Sequence, residues 1–231
     1  MTQNNNKKTI RINVKMRDMN IATRREADEL ISAGKVFVNG QKATLGMQVL
    51  PEDKIEIRGK GKEYRYFLYN KPIGIVTTGP QKDEVDIIHS ATFPIKVFPI
   101  GRLDKDSSGL LIMTNDGRIT DKLLSPQKEH EKEYLVGVNK TLPKSFKTKM
   151  EEGVTVAETD SGKAGYKTKP CTVRLVSDKT FSIILTEGKN RQIRRMCEAL
   201  GFTVMKLERI RIGKHTIDKL KPGEWRETKS I

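Results

Sequence analysis

Gly101-Arg102-Leu103-Asp104-Lys105-Asp106-Ser107-Ser108-Gly109-Leu110-Leu111-Ile112-Met113-Thr114-Asn115-Asp116-Gly117 is the most informative stretch of this chain. Acidic and basic groups stand beside glycines, and an apolar run from Leu110 to Met113 follows. Asp104 comes after a cation and a leucine, so its carboxylate lies near a partly apolar surface. A carboxylate in such a place is suited to act as a nucleophile or a base. A loop salt bridge ahead of a buried strand is the plainer reading of the same residues.

Working outward, residues 64–69 read as a strand, Asn70-Lys71-Pro72-Ile73-Gly74 as a turn and 75–78 as extended chain. Val97-Phe98-Pro99-Ile100 leads into the Asp104 loop, and 133–138 is a further strand. Residues 171–176 and 181–186 form a hairpin around Ser177-Asp178-Lys179. The 192–200 stretch has helical spacing, with Ile193, Met196, Cys197 and Leu200 on one face and Gly201 as terminator. Strands outnumber helices and do not alternate with them. A mixed, mainly antiparallel sheet is therefore expected over 64–231.

Residues 10–57 read as a separate small module. Ile12, Met16 and Met19 share a helical spacing. Thr23-Arg24-Arg25-Glu26 is a capping box at the start of a second helix, which Gly34 ends in a left-handed conformation. Val36-Phe37-Val38 then Asn39-Gly40 predicts a tight hairpin. Val49, Ile55 and Ile57 supply a later strand pair around the turn at Pro51-Glu52-Asp53. Arg24, Arg25 and Lys35 fall on exposed positions and suit phosphate binding. Residues 1–9 form a polar arm and 58–63 a charged, glycine-containing linker. The fold class is α+β: a small α/β module followed by a mainly antiparallel domain.

The formal net charge of +15 over 231 residues points to a polyanionic partner, with nucleic acid ahead of a membrane surface. No apolar run reaches the roughly 18 residues of a spanning helix, and the start of the chain lacks a secretory apolar core. Cys171 and Cys197 lie far apart, as reduced thiols of a cytoplasmic protein would. His89, His130 and His215 are scattered, so no metal is expected. There is no phosphate-cradling glycine loop, so ATP use has no support.

The Asp104 block resembles the signature of RNA pseudouridine synthases, in the branch whose members, among them types B, E and F, serve ribosomal RNA. Asn70-Lys71-Pro72-Ile73-Gly74, the 130–136 segment and the 187–196 segment with its 207–213 continuation resemble further motifs of that family, in order. The 24–31 and 34–40 segments resemble the S4 RNA-binding module. The resemblance implies that Asp104 is the essential residue, that Arg194 opposes its charge, and that Tyr134 stacks on the target base. It also implies that Arg102 fills the space left by that base, that Lys132 orients a phosphate or the tyrosine, and that Ile193 packs below the uracil. Lys189, Arg191, Arg195, Arg209 and Arg211, with the first module, would form a basic face for RNA.

Conversion of uridine to pseudouridine breaks N1–C1′ and makes C5–C1′. Nothing is added or lost, so no cofactor is required. The target base must first leave its stack. In its motif details the chain resembles the type F synthases of 23S rRNA most. The implied substrate is a uridine of a 23S rRNA stem-loop, with a tRNA anticodon-arm uridine second. A cytoplasmic monomer is expected. The alternatives are a 16S rRNA enzyme and a non-catalytic RNA-binding assembly factor on the same scaffold.

Overall fold

The computed structural model describes residues 8–59, 62–125, 130–157 and 165–231. Most of the polar arm and part of the linker expected from the sequence lie outside the described residues. The chain divides into two compact units, Met1–Tyr64 with Asp116–Lys122, and Arg65–Asn115 with Leu123–Ile231.

In the first unit, helices Ile12–Asp18 and Arg24–Ser32 share an apolar core with the strands Val36–Val38 and Gln48–Val49. The capping box forms: the Thr23 hydroxyl accepts from the Glu26 amide at 3.2 Å, and the Glu26 carboxylate accepts from the Thr23 amide at 3.0 Å. Asn39 and Gly40 both take positive φ, 48° and 84°, as a two-residue hairpin with the native twist requires.

Two expectations for this unit need correction. Met19 is not on the buried helix face; the helix stops at Asp18 and Met19 is an exposed C-cap. The buried place belongs to Lys15, whose ammonium donates to the carbonyls of Leu50 and Asp53. Its long apolar stem makes that burial tolerable. The segments around Val49 and Ile55 also do not pair with each other. Gln48–Val49 joins Ile10–Arg11, and Ile55–Ile57 joins Val36–Val38.

The second unit is built on a nine-stranded sheet. Its main path runs Thr172–Ser177, Thr180–Leu185, Lys132–Val138, Val204–Ile212, Ser108–Thr114, Tyr66–Lys71, Trp225–Thr228. Phe98–Ile100 lies beside Ser108–Thr114, and His215–Thr216 beside Val204–Ile212. The pairing is antiparallel throughout, except that Ser108–Thr114 and Val204–Ile212 run parallel. The mainly antiparallel α+β reading holds.

Two apolar cores flank this sheet. One gathers Val136, Phe181, Ile183 and Leu207 with Phe146 and Met150 of helix Ser145–Glu151 and with Ile193, Met196 and Cys197 of helix Gln192–Ala199. The other gathers Phe67, Tyr69, Leu111 and Met113 with Phe93 and Trp225. The strand expected over 64–69 is shifted along the chain, to Tyr66–Lys71. Asn70 and Lys71 belong to it, both buried, and the turn begins only at Pro72. Lys71 is tolerated there because its ammonium donates to the carbonyls of Pro72 and Ile75, at 2.9 and 2.6 Å.

Candidate active site

Asp104 is carried on the loop between Phe98–Ile100 and Ser108–Thr114, two strands paired with Ile100 opposite Ile112. Three ties fix that loop. The buried Thr77 hydroxyl donates to the Leu103 carbonyl at 2.6 Å and accepts from the Leu103 amide at 3.0 Å. The Gly74 amide donates to the Lys105 carbonyl at 2.8 Å, so the Lys71-Pro72-Ile73-Gly74 segment buttresses the loop. The third tie is Gly109, at φ +111°, where a Cβ would run into the backbone of Arg209. Only glycine lets the loop re-enter the sheet this close to its parallel neighbour.

Gly109→Ala is therefore expected to lower the melting temperature by several degrees, corresponding to a strain of about 1–3 kcal/mol or more. Turnover should fall with it, because the Asp104 loop is displaced. Thermal unfolding and single-turnover rates check this; an unchanged melting temperature would show that the strand pair yields freely.

The sheet face explains where the cavity opens. Lys132, Tyr134 and Val136 alternate onto one face. Across the ladder, Tyr134 is opposite Arg209, and Val136 is opposite Leu207. At Val136 and Leu207 the face is covered by the apolar side of helix Gln192–Ala199. At Tyr134, Lys132 and Arg209 that cover stops and a cavity begins. Its walls include Arg102, Leu103, Asp104, Lys132, Tyr134, Lys189, Arg191, Ile193 and Arg209. Ile193 is both core and cavity wall, at 4% exposure. Tyr134 is half-buried, and the Asp104 carboxylate is 38% exposed. The residues implied for uracil and sugar are thus assembled round one space, apart from Arg194.

Arg194 departs from expectation. Among the described residues, its guanidinium forms an ion pair with Asp106 and not with Asp104. It donates to the Asp106 carbonyl at 2.8 Å and the Val204 carbonyl at 3.2 Å, and lies 3.2 Å from the Asp106 carboxylate. It therefore straps the loop to the strand Val204–Ile212. Among the described residues, the cation paired with Asp104 is Arg191, at 3.7 Å, which also holds Asp106 at 3.0 Å. Arg191 reaches both carboxylates from a left-handed backbone, φ 49°, just ahead of the helix. Burial pushes the Asp106 carboxyl up, but the Arg191 hydrogen bond and the charges of Arg194 and Arg191 leave it below the ordinary range.

Arg209 and Arg211 are also corrected. Neither lies free on a basic surface. Arg209 is 4% exposed, and its Nε donates to the Leu110 carbonyl at 2.7 Å. A register shift between Arg209 and Arg211 separates the two. Arg211 bonds Glu133 and Glu131, both at 2.9 Å, and these bonds raise its pKa. A signal for Arg209 exists in the sequence: it stands two residues after Leu207, in phase with the buried side of the strand.

Residues 65–199 match the RNA pseudouridylate synthase family and residues 10–55 match the S4 domain. This chain belongs to the RNA pseudouridylate synthase family. Over 225 residues it is 41% identical to the dual-specificity RNA pseudouridine synthase RluF of Escherichia coli (strain K12), spanning 95% of this chain and 75% of that one. Over 219 residues it is 39% identical to the ribosomal large subunit pseudouridine synthase B of Bacillus subtilis (strain 168), spanning 90% of this chain and 87% of the relative. A crystal structure of a pseudouridylate synthase matches with a TM-score of 0.68 at 29% identity, covering 95% of this chain and 96% of that one. The chain is accordingly a pseudouridine synthase with an S4 module.

The synthase's remaining basic residues divide by exposure. Arg24, Arg25 and Lys35 are exposed in the first unit. Arg24 and Arg25 occupy the first turn of their helix, where cations oppose the helix dipole. Folding alone does not favour them there, which fits a role in holding phosphate. Lys189 is exposed and lies 3.5 Å from the Tyr166 ring centre. Arg195 is half-buried, donates to the Ala157 carbonyl at 2.5 Å, and does not line the cavity. Arg102 is exposed. The Lys132 ammonium donates to the His130 carbonyl at 3.3 Å, and burial, then the Arg209 charge, lowers its pKa.

Lys71 reads in sequence as part of a turn, and no local pattern signals its place behind the Asp104 loop. Burial pushes its pKa down from 10.5 to about 8, while Asp104 and Asp106 pull it up. Below about 8 it is a cation that attracts the carboxylates of the Asp104 loop; above, that charge is lost. Turnover by the synthase should therefore decline as pH rises through about 8, and Lys71→Met should remove that limb of the profile. Stability moves the other way. The folded state disfavours the ammonium, and this penalty is full below about 8 and relieved as pH climbs toward 10.5. A single-turnover pH profile of both proteins decides; an identical alkaline limb in Lys71→Met would assign it to another group.

Proposed function

We propose that this synthase isomerises a uridine in a 23S rRNA stem-loop to pseudouridine, with Asp104 as the group that starts the reaction on the sugar. The observation that carries the reading is the Asp104 carboxylate at the wall of a cavity whose other walls include Tyr134 and Ile193. An aromatic ring and an aliphatic side chain suit the two faces of one extruded base. Extrusion costs a few kcal/mol, least where the base is already in a loop or bulge.

With the base in the cavity, Asp104 attacks the sugar or removes a proton from it. The N1–C1′ electron pair leaves with the base as a uracil monoanion. After the base turns, C5 bonds to C1′ as the bond from Asp104 to the sugar breaks, or as the proton taken from the sugar returns to it; the C5 proton is then lost and N1 gains one. The atoms balance without a cofactor. Arg102 takes the space left in the stack, and Lys132 orients Tyr134 or a phosphate. Arg194 serves by strapping the Asp104 loop. Arg24, Arg25, Lys35, Lys189 and Arg191 hold backbone phosphates, which makes affinity salt-dependent. Residues 10–57 form the RNA-docking domain and 64–231 the catalytic domain of a cytoplasmic monomer.

The large-subunit name of one relative supports 23S rRNA, and the dual specificity named for another supports a second RNA, for which a tRNA anticodon arm is the candidate. A purely RNA-binding role leaves the Asp104 cavity without a purpose. The test is to map pseudouridines after incubating purified protein with 23S rRNA, 16S rRNA and tRNA transcripts, and in rRNA from a deletion strain. A site in 23S rRNA made by the protein and missing from the deletion strain is expected. Modification of 16S rRNA alone would overturn the assignment.

A further inference from the structure

We infer that Arg209 is a catalytic residue of this synthase: its buried guanidinium receives a carbonyl oxygen of the uracil as negative charge builds on the detached base. The inference rests on the Asp104 cavity being the uridine site.

Among the described residues, Arg209 is the only buried arginine, at 4% exposure. Arg209 is among the residues lining the same cavity as Asp104 and Tyr134, and it stands directly across the ladder from Tyr134. Its Nε is committed to the Leu110 carbonyl, but its Nη2 is buried with no acceptor among the described residues. No carboxylate of the described residues forms an ion pair with it. An arginine does not neutralise itself by losing its proton. A buried cation with an idle donor is unfavourable unless something completes it. The backbone around it is unyielding, because Gly109 already packs against its peptide. Arg209 also lowers the proton affinity of Lys71 and Lys132, so its field reaches the rest of the site.

The reaction supplies what is missing. When the N1–C1′ pair leaves with the base, the charge spreads over N1, O2 and O4 of the uracil. A fixed cation in a space shielded from water stabilises such charge far better than solvent does. The phosphates do not fit this role, since the exposed Lys189 and Arg191 meet them outside. When C5 bonds to C1′ the base shares a pair with the sugar again and its negative charge is discharged, with no proton transferred by Arg209.

The test uses the full-length protein and a stem-loop RNA in which wild type forms pseudouridine. The target uridine is replaced by 2-thiouridine or by 4-thiouridine, whose sulfur is the weaker acceptor. Single-turnover rates are measured for wild type and for Arg209→Met, which keeps the side-chain length and removes the charge. One of the two thio-substitutions is expected to slow wild type by roughly tenfold, the scale of a weakened charged hydrogen bond. The same substitution should have little effect in Arg209→Met. A purely structural Arg209 would lower the melting temperature of the variant but leave the uridine-to-thiouridine rate ratio as in wild type, which would overturn the inference. If Arg209→Met does not fold, wild type alone decides: equal rates on uridine and both thiouridines overturn it. Failure of wild type on every uridine RNA would instead overturn the parent reading.

Discussion

Asp104→Asn is expected to bind RNA as wild type does and to form no pseudouridine. The amide has nearly the shape of the carboxylate, and the ties that shape the loop run through other groups. Thr77 braces Leu103, Gly74 holds Lys105, and the Ser107 amide donates to the main-chain carbonyl of Asp104 at 3.1 Å. None needs the Asp104 side chain. The variant loses its ion pair with Arg191, but both groups are more than a third exposed, so little stability goes with it. What it loses is the group proposed to attack the sugar or to take its proton. Removing such a group lowers the chemical rate by on the order of 10⁴-fold or more. Single-turnover assay and RNA binding by the purified variant check both halves, with mass spectrometry excluding deamidation back to aspartate. Turnover above the background floor would remove Asp104 from its role.

The parts of this molecule that are legible in sequence are those in which a local pattern and its tertiary partner agree. Thr23 to Glu26 spells its own cap. Asn39-Gly40 supplies both left-handed residues of its hairpin, and the Leu110 to Met113 run has no place but a strand interior. The helix from Gln192 is legible because its apolar residues recur on one face. Legibility fails where long-range packing decides. Trp225–Thr228 is a short edge strand with two charged residues, and it pairs with Tyr66–Lys71 across most of the chain. Helix Ser145–Glu151 is seven residues long and rich in lysine, and its buried residues are Phe146 and Met150. The burial of Lys15 and Lys71 is not legible, because composition does not reveal the carbonyls that meet their ammonium groups.

The site fails to read for the same reason in one particular. Arg191 and Arg194 are three residues apart, and so are nearly neighbours on a helix. Asp104 and Asp106 are two apart on a loop. The sequence does not say which pair meets; the approach of the loop to the helix decides that. In the structure the loop passes so that Arg194 takes the main chain of Asp106, and Arg191 takes the two carboxylates. A strap and a counter-charge are different jobs, and they give the two arginines different consequences on removal.

Arg194→Ala should be the more damaging of the two. Its side chain is only 14% exposed and joins the Asp106 carbonyl to the Val204 carbonyl. Without it, those acceptors lose a charged donor, at about 1–3 kcal/mol in stability. The larger effect is on rate. A catalytic group misplaced by about 1 Å can lose on the order of 10²-fold, and Asp104 is two residues from the lost strap. The loss should fall on kcat, with RNA affinity nearly unchanged, since Arg194 is turned toward the protein. Arg191→Ala removes an ion pair that is close to half exposed, worth about 0–1 kcal/mol. It should lower turnover less than tenfold and weaken RNA binding, with a shallower salt dependence. Steady-state kinetics, thermal unfolding and binding at several salt concentrations separate the two. The reverse order, with Arg191→Ala the slower enzyme, would mean that the cation at 3.7 Å from Asp104 carries the chemistry and that the loop keeps its place without Arg194.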